Sequence, residues 1–346
     1  MTDSANRDGR AAVGPDHGPR LAIALADDVR PATAGQNLLV GFHFGAPQAA
    51  VDLPGVVSPG FRPIGREDVY ECWWYQGEVE HTTCGNVRIA SCDEYQVAIL
   101  QTVDDHGESF RVQTYKAYRE IFEALRAKGR GPVVKIWNHF GGINDGIGDA
   151  EKYRQFSMGR SQLFEEFEVF DGTIPTGTTV GTLTSDRLSI IALTSSNECQ
   201  FAENPRQVSA FHYPRQYGPK SPMFSRGGCI AAEDGCLYLI SGTAAIVGHE
   251  SQHPFDITRQ VPETLEILDK LCEGLSGLDV SCRPMQLDRD CVLRVYLREP
   301  KNMDLVAREL SGLLGETDRN VAFLNGQICR RELEVEIDGA RTGSRA

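Results

Sequence analysis

The sequence predicts an α+β fold in which one α/β unit occurs twice, and three observations predict it. Strand-like and helix-like segments alternate along the chain. The order strand, helix, strand, helix appears in the first half and returns in the second, as an internal duplication would leave it. A chain of 346 residues, 41% of them apolar, is longer than a single core usually grows and suits two packed units. The predicted division is a polar, disordered leader over 1–20, a first unit over 21–195 and a second over 196–346. Each unit is expected to form a mixed sheet with helices on one face.

Residues 95–102 (YQVAILQT) read as a strand, followed by an amphipathic helix over 109–127 in which Tyr115, Tyr118, Phe122 and Leu125 recur at helical spacing. Gly129 stops that helix. Residues 133–138 (VVKIWN) form a second strand, and a second helix runs from an N-cap at Asp149 to Phe167. The later half gives a strand over 236–243, a helix over 257–275 with Pro262 in its first turn or kinking it, and a strand over 292–298. A helix over 302–314 and strands over 320–325 and 333–338 complete it. The Gly/Pro/Ser-rich stretch from Tyr213 to Gly228 is the connection into the second unit, and such loops often carry function.

Composition narrows the function classes. A formal net charge of -13 repels nucleic acid and anionic membranes, whose recognition needs clustered Lys and Arg. A small anionic substrate remains compatible with it if a few arginines converge. No apolar stretch approaches the roughly 20 residues of a membrane span. The ten cysteines form no CxxC pair and no zinc-ligand cluster, so they read as reduced thiols of a cytoplasmic protein. GxSxG and HExxH are both absent, which removes support for common hydrolase and zincin classes. The run GGINDGIGDAEKY (141–153) contains GxG before a helix but lacks the rest of a phosphate-loop fingerprint, and an ordinary turn is the better reading.

Candidate site residues follow from the same patterns. Tyr153 and Arg160 lie seven residues apart on one helix face with Phe156 between them, and present either a phenol and a guanidinium to an anion or a packed, snorkelling pair. Tyr213, Tyr217 and Arg226, with Arg215 and Lys220, place phenols and cations on the Pro-rich loop. Glu332, Glu334 and Glu336 alternate with Leu333, Val335 and Ile337; they are a solvated strand face, or one of them points into a pocket and burial raises its pKa enough to make it a proton donor. Cys329, beside Arg330 and Arg331, would have a lowered pKa if exposed to those charges.

The SGT hairpin at 241–243, the helix DITRQVPETLEILDKL, the segment VYLREPKNMDLVARELSGLL and the closing LEVEI resemble the RidA-like (YjgF-like, chorismate-mutase-like) fold. From about residue 38 onward the chain more specifically resembles the chorismatases, through WNHFGGINDGIGDAEKYRQFSMGR, NPRQVSAFHYPRQYGPKSPMFSR, SGTAAIVGHESQH, VYLR and CRRELEVEIDG. The resemblance implies cleavage of chorismate to pyruvate and a cyclic acid without metal or cofactor, with Glu336 as the acid. It implies further that Tyr153, Arg160, Tyr213, Tyr217, Arg226 and Arg298 line the substrate pocket, the arginines as candidate carboxylate clamps. Hydrolytic members of that family carry Ala where this chain has Gly242 and Ala where it has Cys329, whereas members forming 3-hydroxybenzoate carry Gly and Cys. The resemblance therefore points to the 3-hydroxybenzoate branch of a secondary-metabolite route, acting as a monomer or homo-oligomer. The rival readings are a hydrolytic chorismatase, an imine deaminase of the single-domain RidA type, and a non-catalytic small-ligand-binding module.

Overall fold

A computed structural model describes residues 20–346 apart from 32, 47–52, 130, 171, 184–185 and 316–318. The leader predicted over 1–20 thus lies outside the described residues except for Arg20. That residue is engaged: its backbone N–H donates to Asp234 (3.0 Å), its guanidinium pairs with Asp93 (3.0 Å) and lies 4.6 Å from the Tyr75 ring centroid.

The chain opens on a small sheet that the sequence reading did not assign. Strands β1 (Leu21–Ala26), β2 (Gln36–Phe44), β3 (Val56–Val57) and β5 (Val69–Gln76) are ordered β1-β5-β2-β3, while β4 (Arg62–Pro63) pairs elsewhere. Next come β6 (Glu80–Cys84), β7 (Val87–Ser91), β8 (Tyr95–Val103), α1 (Phe110–Lys128), β9 (Val133–Gly141), α2 (Lys152–Glu166), β10 (Thr176–Thr182) and β11 (Arg187–Ser195). Their sheet is ordered β10-β9-β11-β8-β7-β6. The remainder supplies β12 (Cys199–Ala202), β13 (Gly227–Ala231), β14 (Cys236–Thr243), the short pair β15 (Ile246–Val247) and β16 (Glu250–Ser251), α3 (Ile257–Ser276), β17 (Val292–Leu297), α4 (Met303–Leu314), β18 (Val321–Asn325) and β19 (Val335–Gly343). Their sheet is ordered β12-β13-β14-β19-β17-β18, with β4 added at the β18 edge.

Those two larger sheets share one topology. In each, a three-strand meander leads into a helix, two parallel strands enclose a second helix, and the last strand inserts antiparallel between the meander and the parallel pair. The duplication predicted from element order is therefore present in the strand order itself.

Sequence alternation explains the layering. On β8, Val97 and Ile99 belong to the core between sheets, whereas Ala98 and Leu100 pack under α1 and α2. On β14, Leu237 and Leu239 face the inter-sheet core, and Tyr238 and Ile240 pack under α3 and α4. Strands buried on both faces lose the polar-out pattern, so they read as continuous apolar runs. Helices cover the outer faces and the two sheets share the inner one.

Several local expectations change. Asp149 is not an N-cap: it sits in a 3-10 turn (Gly148–Ala150), where Arg215 takes its carboxylate at 2.6 Å, and α2 starts at Lys152. Pro262 lies inside α3 rather than in its first turn, where it removes the N–H that would bond to Thr258. The closing strand begins at Val335, later than predicted, because Arg330 and Glu332 are held by side-chain contacts to β16 and its flanks. The reduced-thiol reading fails for Cys236 and Cys282, which form a disulfide tying the start of β14 to the segment after α3.

Candidate active site

The site forms where the second unit's last meander strand, β14, and the inserted strand β19 stop pairing regularly. β14 and β19 are in register from Cys236↔Gly343 to Ile240↔Gly339, then shift before Thr243↔Ile337, so that β14 carries one extra residue. A bulge of this kind re-aims side chains, and Gly242 lies in it. A Cβ built on Gly242 would collide with Glu336 Oε1 and lie 3.1 Å from Cδ, so a side chain there would press the carboxyl group out of this position. The bulge is pinned by Ser241, whose hydroxyl donates to the Ser225 carbonyl (2.5 Å) and accepts from the Gly177 N–H (2.9 Å).

Beside Glu336 lies a cavity of about 240 Å³ walled by α2, the loop before β13, β14 and the segment before β19. Glu336 is 5% exposed, and burial, reinforced by the neighbouring charge of Asp338, pushes its carboxyl up to about 8; Lys135 and Arg226 act in the opposite sense. Of the three alternating glutamates, this one alone reaches the interior from the strand. Glu332 lines the cavity rim and accepts from the Ser251 hydroxyl at 2.7 Å, and Glu334 is only partly buried.

Tyr153, Tyr213, Tyr217, Arg226, Gly242 and Cys329 all line the cavity, as does Arg330. The loop residues reach it because the chain from Asn204 to Arg226 is pinned on both sides: Gln207 donates to the Ile246 carbonyl (2.9 Å), and the backbones of Val208 and Gly248 bond. Arg226 donates to the Val208 carbonyl (3.0 Å) and Tyr213 hydroxyl (2.8 Å), leaving Nε buried without a protein acceptor. Arg330 stacks 3.9 Å from the Tyr217 ring centroid and donates to the His249 carbonyl and Ser251, with Nη2 buried and unpartnered. Buried guanidinium donors without acceptors are costly unless an anion meets them.

Arg160 and Arg298 are placed differently. Arg160 lies behind the cavity wall, 2% exposed, its guanidinium 4.9 Å from the Phe156 centroid, with Nε and Nη2 unpartnered; Tyr153 stacks on the same Phe156 ring. The predicted face of α2 is thus intact, with Tyr153 at the cavity and Arg160 one layer deeper. Arg298 does not reach the cavity. Its guanidinium is consumed by the carbonyls of Leu333 (3.0 Å), Ile328 (3.2 Å) and Arg330 (3.0 Å), so it shapes the segment carrying Cys329 and Arg330 instead of offering a free fork. Arg215 and Lys220 are likewise spent, on Asp149 and Glu165.

The thiol of Cys329 is not activated by its arginine neighbours. Burial, with the nearby charge of Glu336, pushes it up to about 12, so it meets the cavity as a neutral thiol. The Tyr153 phenol is pushed well above its ordinary range by burial, with Cys329 and Glu336 adding to the shift, and it stays protonated.

Sequence reasoning passed over Arg330 as a mere neighbour of Cys329, and missed the polar groups behind Glu336. Lys135 is fully buried on β9, its ammonium donating to the Ile240 carbonyl (2.7 Å) and Thr178 hydroxyl (3.1 Å) and lying 3.8 Å from Asp338. A lysine inside the apolar run VVKIWN, and an aspartate two residues beyond Glu336 on the same strand face, were the available signals.

No helix among the described residues is long and apolar enough to cross a membrane. No cluster of three or more potential metal ligands occurs among them.

The cavity thus brings together a buried carboxyl group and the unpartnered guanidinium donors of Arg226 and Arg330. The family model described as Chorismatase FkbO/Hyg5-like, N-terminal, matches residues 71–194. A chorismatase of Streptomyces hygroscopicus is 31% identical over 274 residues, covering 78% of each chain. A 3-hydroxybenzoate synthase of Streptomyces hygroscopicus is 29% identical over 304 residues, covering 85% of each chain. A chorismatase crystal structure superposes with a TM-score of 0.80 at 27% identity, covering 93% of this chain and 98% of that one. The chain belongs to the chorismatase family.

Proposed function

We propose that this protein is a chorismate-converting enzyme that releases pyruvate and 3-hydroxybenzoate. The observation that supports the product assignment is Gly242 packed against Glu336, together with Cys329 on the cavity wall: a Cβ at 242 would press on Oε1, so the residue there sets where the carboxyl group sits. Chorismate is a dicarboxylate bearing an enolpyruvyl ether. Arg226 and Arg330 offer their unpartnered donors to its carboxylates, and the phenols of Tyr153 and Tyr213 complete the wall.

Glu336, protonated at neutral pH, gives its proton to the terminal methylene carbon of the ether, producing a methyl group and an oxocarbenium ion. The neighbouring ring hydroxyl oxygen then bonds to the ether-bearing ring carbon as the ring C–O bond breaks. That bond's electron pair leaves on pyruvate, and the hydroxyl proton returns to the Glu336 carboxylate. The resulting arene-oxide-like ring opens, loses a ring C–H proton while its oxygen gains one, and aromatises. No water is consumed, and the reaction benefits from the proximity of the two ring substituents. The neutral Cys329 thiol contacts the ring and assists the opening, and the space at Gly242 admits the ring pose.

Incubation with chorismate in oxygen-18 water, followed by mass spectrometry, tests the reading. Unlabelled 3-hydroxybenzoate with pyruvate is expected. A dihydroxycyclohexadiene carboxylate with label in pyruvate would instead place the protein in the hydrolytic branch, and chorismate binding without pyruvate release would make it a binding module.

A further inference from the structure

Behind Glu336, on the side away from the cavity, the two larger sheets and the small first sheet enclose a layer of buried ionisable groups that the reaction scheme leaves unused. Glu71 of β5 accepts from Arg294 of β17 through two bonds, at 2.6 and 2.8 Å, and also from the Trp73 indole at 2.8 Å. Asp338 of β19 accepts from the Thr178 hydroxyl at 2.6 Å and faces the Lys135 ammonium at 3.8 Å. Lys135, Asp338, Arg294 and Glu71 are each no more than 3% exposed.

Counting charge across this layer is informative, because a buried charge persists only when it is paired. Arg294 is committed to Glu71 and Lys135 to Asp338, which closes two pairs. Glu336 shares the strand face of Asp338, two residues away, and no cation of the layer is left for it. Arg226, the remaining cation close to Glu336, donates through Nη2 to Val208 and Tyr213 and leaves Nε buried without an acceptor. The titratable neighbours Tyr153 and Cys329, and Tyr296 opposite Glu336 on β17, are held neutral by burial.

We propose that Asp338, pinned by Thr178 and Lys135, is a positioning residue for catalysis: the fixed negative charge against which the Glu336 carboxyl is kept in its acid form. This rests on the reading of Glu336 as the proton donor. Asp338 reaches neither cavity nor substrate; it acts through its neighbour. The rise in the Glu336 pKa attributed in part to Asp338 agrees with this arrangement. Lys135 and Thr178 then serve to hold the Asp338 carboxylate in place behind Glu336.

The test is the pH profile of kcat for Asp338→Asn. Removal of the like charge is expected to move the alkaline limb down by about one pH unit or more, with turnover on the acidic side of the limb kept within about threefold of the unaltered enzyme. A uniform loss at every pH with the limb unmoved would overturn the proposal and leave Asp338 a packing residue. Infrared spectra of the unaltered protein, labelled with carbon-13 in glutamate or in aspartate side chains, keep the proposal testable even if the variant does not fold. The protonated carboxyl band present at pH 7 and lost along the kcat limb is expected to shift with glutamate labelling; a shift with aspartate labelling would overturn the proposal. Glu336→Gln separates the two readings: substantial turnover there removes the acid itself, whereas an inactive Glu336→Gln beside an unmoved Asp338→Asn limb removes only the role of Asp338.

Discussion

The two sheets that share a topology have been put to different uses, and the contrast lies in one ladder. In the first, β11 pairs with β8 without interruption from Arg187↔Val103 to Ser195↔Tyr95, and its interior residues from Leu188 to Ala192 are uncharged. In the second, the corresponding ladder between β14 and β19 breaks at a bulge, and the facing strand carries Glu336 and Asp338 into the interior. A continuous ladder satisfies its backbone and packs; an interrupted one exposes a strand face and re-aims what it carries. One copy of the fold thus lacks, and the other carries, the proposed acid, although the first copy lends Tyr153 from α2 and Lys135 from β9.

The largest expected effect falls on the break itself. Glu336→Gln keeps the volume and removes the donated proton, and should lower kcat by about a hundredfold or more while leaving chorismate binding within a few-fold. Stopped-time pyruvate release and equilibrium binding check the two halves of that statement. The same residue sets a pH dependence in the unaltered enzyme. A carboxyl raised to about 8 holds its proton below that value, so kcat should be flat on its acidic side and fall about tenfold per unit above it; a rate that rises through pH 8 would require the ionised form and refute acid catalysis by this group.

Gly242→Ala probes the bulge from the opposite strand. The added methyl would meet Oε1, with Cδ 3.1 Å away and Thr178 Cγ2 3.5 Å away, so the acid must swing rather than the threonine yield. The expected outcome is a smaller loss, about tenfold in 3-hydroxybenzoate formation, with an altered product ratio by mass spectrometry. Unchanged products and rate would mean that the carboxyl group has space the cavity does not reveal.

How much of this was legible in the chain depended on the environment of each segment. The helices α1, α3 and α4 declared themselves because an apolar face of fixed period survives where one side packs and the other meets water, and the strands β8, β14 and β17 because burial on both faces leaves a short continuous apolar run. β5, with the sequence VYECWWYQ, hid its partners: Glu71 is buried in a strand that a polar residue would usually mark as half exposed, and its reason, Arg294, lies 223 residues away. β10, TGTTVGT, lacks an apolar period since its glycines admit close approach; a Cβ on Gly177 would lie 2.8 Å from Phe224 Cβ. Glu336 and the loop tyrosines could be named from their motifs, but the diversion of Arg298 to backbone carbonyls could not. It depends on how the segment from Ile328 to Leu333 folds, and a guanidinium's acceptors leave no trace in its own sequence neighbourhood.

The smallest expected effect lies in the first copy and sharpens the comparison from its quiet side. Gly129 closes α1 at φ 68°, its N–H bonding to the Leu125 carbonyl, and a Cβ there would meet nothing within 4 Å. Gly129→Ala therefore tests conformation alone: a left-handed residue with a side chain costs about 1 kcal/mol, without a steric clash to add to it. Thermal unfolding should shift down by a few degrees at most, with kcat, KM and the alkaline limb unchanged. If the limb moved instead, the first copy would be setting the proton affinity of Glu336 through its packing as well as through Lys135, and the division between the copy without the acid and the copy that carries it would have to be redrawn along the inter-sheet layer rather than between the repeats.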